Sequence, residues 1–114
     1  MIMNEIKENI SQIALKSNEI VAKLEILRAL EEHKESISEE ITKTKEKLEK
    51  EEITKFTYAT MQEVNQKNLD DNTNRRKIIW NEIAETINNI SDNLNGLKEL
   101  YNQKTENNDA PEVK

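Results

Sequence analysis

Seven large side chains toward the end of this 114-residue chain, Trp80, Ile83, Ile87, Ile90, Leu94, Leu97 and Tyr101, alternate at spacings of 3 and 4 without a miss. A strand repeats every second residue; only a helix returns to one face at this period. The spacing predicts a helix over about 74–103. A second run near the start is similar. Ile6, Ile10, Ile13, Ile20, Leu24 and Leu27 are spaced 4, 3, 7, 4 and 3, with polar Ser17 in the gap. It predicts a helix over about 3–33. Leu15, Val21, Ile26 and Leu30 widen its apolar face beyond what a simple two-stranded coil needs, which suits a bundle helix with several neighbours.

Composition agrees with an all-helical reading. The chain has one Gly, one Pro and no Cys. Loop-rich β folds and glycine-rich phosphate loops are excluded, as are disulfide frameworks and thiolate metal sites. No run of apolar residues is long enough to span a bilayer, and the charged start MIMNEIKENI has no signal-peptide core. A cytoplasmic protein without integral membrane association is expected. The net charge is −6, and acids and bases are mixed, as in KTKEKLEKEE (43–52). That pattern argues against direct nucleic-acid binding, which needs a basic stripe.

The middle is poorly apolar. Between Glu31 and Glu52 only Ile37, Ile41 and Leu48 are large and apolar. Ser36-x-x-Glu39 fits a capping box, and Thr54 can cap a further start, with Ile53 and Tyr58 placed as a staple. The segment LEKEEITKFTY (48–58) resembles the break between the helices of helical-hairpin proteins, where a Thr or Ser start followed by an aromatic opens a new helix. It lacks the Gly usual in that turn, and eleven residues assign no family. A middle helix over about 37–68, broken near 51–54, is expected. NLDDNTN (68–74) favours a turn before the last helix. Gly96 is expected to sit inside that helix, because Leu97 and Tyr101 keep its register. Residues 105–114 read as a disordered tail.

The expected fold is therefore all-α: an elongated three-helix bundle, or a coiled-coil-like helical hairpin with a charged, broken middle helix, as one domain over 1–104. In the first seam Ile6, Ile13 and Ile20 take the d positions, with Ile10 and Leu24 at a. β-Branched residues at d favour more than two strands.

No constellation carries chemistry. His33, the only histidine, lies in EEHKE near the expected end of the first helix, with no Glu three residues before it to make a di-iron pattern. There is no nucleophile elbow. No enzyme activity, cofactor or metal is expected. The function expected is a non-enzymatic structural or adaptor protein that associates with itself or with partner proteins through amphipathic helices. Its interaction residues would be Ile13, Ile20, Leu24, Leu27, Ile79, Trp80, Ile83, Ile87, Ile90 and Leu94. The alternative is a small acidic inhibitor, of a phage or mobile-element type, that blocks a basic site on its target through the charged stretch 31–52.

Overall fold

The computed structural model describes residues 1–109. They form two long α-helices, α1 (Ile2–Glu49) and α2 (Lys55–Asp109), of 48 and 55 residues. The all-α expectation agrees with this. Three helices do not: the first and middle segments are one helix, and the second part of the middle segment runs into the last. α1 passes through 34–36 and α2 through 69–73 without a break. The expected tail is helical over 105–109, and its remainder lies outside the described residues.

Both local stop signals are overridden by side chains that find other partners. Ser36 does not cap; its hydroxyl donates to the Glu32 carbonyl one turn back. Asn72 does not cap either. Its side chain crosses to α1, where Nδ2 donates to the Leu30 carbonyl at 2.9 Å. With a neighbouring helix to pack on, weak propensity over 68–74 does not end the helix.

The break that remains lies between Glu49 and Lys55. The Glu52 amide donates to the Lys47 carbonyl and the Glu51 amide to the Leu48 carbonyl, at 2.9 and 3.0 Å. Those are the paired bonds of a Schellman ending, which requires a left-handed residue at the position Glu51 holds. Glu51 has φ 60°, so a β-carbon sits where Gly is usual. Thr54 then caps α2: its hydroxyl accepts from the Thr57 amide at 3.1 Å. Ile53 and Tyr58 are both half-buried beside it, as a staple requires.

The chain forms two compact units. Unit 2, residues 24–81, contains the turn and the helix halves on either side of it. Leu27, Leu30 and Ile37 are buried there, together with Thr44, Asn65 and Asn72. Unit 1 comprises residues 1–23 and the chain from Glu82 onward. Its two helical segments run antiparallel: Lys23 meets Glu82, Lys16 meets Asn93 and Met3 meets Lys104. Among the described residues, Ile83 and Thr86 are buried there. Gly96 lies inside α2, and a β-carbon there would meet Asn9 Oδ1 at an ordinary 3.5 Å.

Candidate interaction face

Packing along α1 follows an alternation of 3 and 4. Apart from Gln12, the residues of α1 that are not exposed are Ile2, Ile6, Asn9, Ile13, Lys16, Ile20, Lys23, Leu27, Leu30, Lys34, Ile37, Ile41, Thr44 and Leu48. The seam read from the first segment was Ile6, Ile10, Ile13, Ser17, Ile20, Leu24 and Leu27. The two share one row, Ile6, Ile13, Ile20 and Leu27, and differ in the other. Asn9, Lys16, Lys23 and Leu30 form the inner row. Ile10 and Leu24, placed in the seam by the sequence pattern, are exposed. With Met3 and Ser17 they form an outer row.

α2 repeats this arrangement. Ile83, Ile90 and Leu97 are the shared row. Ile79, Thr86, Asn93 and Leu100 take the inner positions. Trp80, Ile87, Leu94 and Tyr101, four of the seven seam residues read from the sequence, form an outer row and are 54%, 52%, 50% and 64% exposed. Of the ten expected interaction residues, Ile13, Ile20, Leu27, Ile79, Ile83 and Ile90 thus face the opposite helix, and Leu24, Trp80, Ile87 and Leu94 face outward.

The inner rows tolerate polar residues because those residues pair. In unit 1 the Asn93 amide donates to Asn9 Oδ1 at 3.2 Å, and Lys16 Nζ donates to Asn93 Oδ1. Lys23 Nζ reaches Glu82 at 2.8 Å. Thr86 turns its hydroxyl onto the Glu82 carbonyl, which satisfies it within its own helix. In unit 2 Thr44 does the same with Glu40. Asn72, only 2% exposed, donates to the Leu30 carbonyl and accepts from Arg76 Nε at 2.8 Å. Arg76 in turn reaches Glu31 at 3.2 Å. Among the described residues no buried side-chain nitrogen or oxygen lacks a partner. Polar pairs at seam positions fix register, since any slip leaves them unpaired.

In unit 1 the contacts also show which side the outer rows take. Met3, of the α1 outer row, meets Lys104 in the α2 shared row. Glu82 and Gly96, on the other flank of α2, meet Lys23 and Asn9 in the α1 inner row. In an antiparallel pair this brings both outer rows to one side. Met3, Ile10 and Ser17 therefore face the same way as Ile87, Leu94 and Tyr101. The next row outward on each helix is Lys7, Ala14 and Val21 on α1, and Ala84, Ser91 and Lys98 on α2, all exposed.

Charge is divided between the two sides of this unit. Up to residue 105 its acids are Glu5, Glu8, Glu19, Glu82, Glu85, Asp92 and Glu99. By helical position all of them fall on the flank away from the outer rows. Up to residue 105 the outer side has Lys7 and Lys98 as charged groups, together with the Lys104 ammonium that meets Met3. Unit 2 carries one outer pair of its own, Leu24 and Trp80, flanked by Arg28 and Lys77. Arg28 bonds Glu25 at 3.0 Å.

Unit 2 also has a shallow depression of about 160 Å³ lined by Ile26, Leu30, Arg75, Ile78 and Ile79. His33 is exposed. Among the described residues no group of three or more His, Cys, Asp or Glu is placed to hold a metal, and no helix is long and apolar enough to cross a membrane. No family model, curated protein or solved structure matches the chain.

Proposed function

We propose that this protein is a non-enzymatic structural or adaptor module that associates, with itself or with partner proteins, through the outer rows of its helices. One observation carries the reading. Ile10, Ile87, Leu94 and Tyr101 are each about half exposed and stand on one side of unit 1 at helical spacing. Scattered apolar residues on a surface are ordinary, but a contiguous face of them marks an interaction site. Burying the exposed half of each such side chain contributes roughly 1 kcal/mol, enough in sum to support association.

Leu94→Asp tests it. Leu94 is half exposed, so the variant keeps its helical circular dichroism. Association, read by sedimentation equilibrium and by pull-down from host extract, is then lost relative to wild type. A wild-type monomer at high micromolar concentration, with no Leu94-dependent partner, overturns the proposal.

A further inference from the structure

Up to residue 105 the outer face of unit 1 is free of acid, in a chain that carries 23 acids and 17 bases. Resting on the association reading above, we infer that this face takes an amphipathic partner helix whose apolar heptad seam is flanked by Glu and Asp. Two antiparallel helices packed side by side present two ridges with a groove between them. Met3 and Ile10 line one ridge; Ile87, Leu94 and Tyr101 line the other. Lys7 stands on the outer bank of α1 and Lys98 on that of α2. The antiparallel register that joins Asn9 to Asn93 and Met3 to Lys104 brings the two lysines to similar levels. A helix in the groove would have one ammonium group on each side. Acidic residues flanking its apolar seam would meet both, as charged flanking positions do in coiled coils.

Charge decides against a second copy in the same groove. It would oppose this face with an identical one, lysine banks against lysine banks and no acid between them, and like charges across an interface oppose association. Periodicity decides against a lipid surface. Ile87, Leu94 and Tyr101 recur every seven residues, as do Met3 and Ile10. A seven-residue repeat drifts around a straight helix and stays in contact only with another helix that coils with it. A flat bilayer has no such match. The outer residues are also only about half exposed rather than projecting fully.

The test uses the full chain and three probes. Two are synthetic helices of about four heptads with the same Ile and Leu seam, one flanked by Glu and one by Lys. The third is phosphatidylglycerol vesicles. The Glu-flanked helix is expected to bind at least tenfold more tightly than the Lys-flanked one, with the difference shrinking as salt rises. Lys7→Glu combined with Lys98→Glu should invert that order. Both substitutions are at exposed positions, so thermal melting serves as the folding control. Leu94→Ser should lose both peptides. Equal binding of the two peptides, no binding of either, or binding to vesicles alone overturns the inference. Leu94-dependent self-association without a charge preference also overturns it, yet leaves the association reading standing. No Leu94-dependent association of any kind removes both.

Discussion

At the scale of single residues, two positions hold chemistry that the helix pattern alone would not choose. Glu51 adopts φ 60° to close the end of α1. A left-handed L-residue costs about 1–2 kcal/mol, and Gly there avoids the clash. Glu51→Gly is expected to raise stability by about 1 kcal/mol, less a few tenths for the greater freedom of Gly in the unfolded chain. Urea titration followed by circular dichroism checks it; a lower midpoint would show that Glu51 does more than end a helix. Asn72 is the second. It satisfies the Leu30 carbonyl and Arg76 together. Asn72→Ala leaves Arg76 Nε short of a partner and is expected to destabilise by about 1–3 kcal/mol. Asn72→Leu removes the same bonds but fills the space, and should cost less than the Ala variant in the same titration. If the two cost the same, packing contributes nothing at that site.

At the scale of the elements, the question is which rows of each helix are inside. Ile83 and Ile87 are one turn apart in the seam read from the sequence, where Ile87 is central. In the structure Ile83 is 4% exposed and Ile87 52%. Their substitutions should therefore part company. Ile83→Asp puts a carboxylate into the packed seam of unit 1 and is expected to cost several kcal/mol. Ile87→Asp should change folding stability by less than about 1 kcal/mol while weakening association. Paired melting curves and sedimentation of the two variants decide the matter. Similar melting losses would mean that the outer row is not outside.

At the scale of the whole molecule, the buried residues are unevenly shared. Leu27, Leu30, Ile37, Thr44, Asn65 and Asn72 belong to unit 2; Ile83 and Thr86 belong to unit 1. Amide exchange follows the free energy of local opening, which rises with buried contact. The slowest amides are expected within about 27–44 and 65–79, and residues 2–20 and 97–105 should exchange faster. Mass-spectrometric hydrogen exchange measures this directly. A partner helix on the outer face should then slow exchange in unit 1 in particular, because binding stabilises the state that binds. Uniform protection along both helices would contradict the uneven core.

Much of this architecture could be read without coordinates. The absence of strand periodicity and the near-absence of Gly and Pro determined an all-α chain. The Thr54 cap with its Ile53–Tyr58 staple placed the break between α1 and α2, since capping is local chemistry. The shared rows Ile6, Ile13, Ile20 and Ile83, Ile90, Leu97 were legible because they belong to either possible seam. Tertiary structure decided the rest. Each shared row has a more apolar neighbour on one flank and a more polar one on the other, and the apolar pattern pointed to the former. The polar flank went inside because it alone continues along the helix: past Leu27 it supplies Leu30, Ile37 and Thr44, where the other supplies Glu31, Ser38 and Lys45. Its Asn, Lys and Thr side chains also find partners, several of them across the helix pair and from residues far apart in the chain, Asn9 with Asn93 and Asn72 with Leu30. No local window contains both members of such a pair. For the same reason Ser36 and NLDDNTN looked like helix ends, when the opposing helix was what carried α1 and α2 through them.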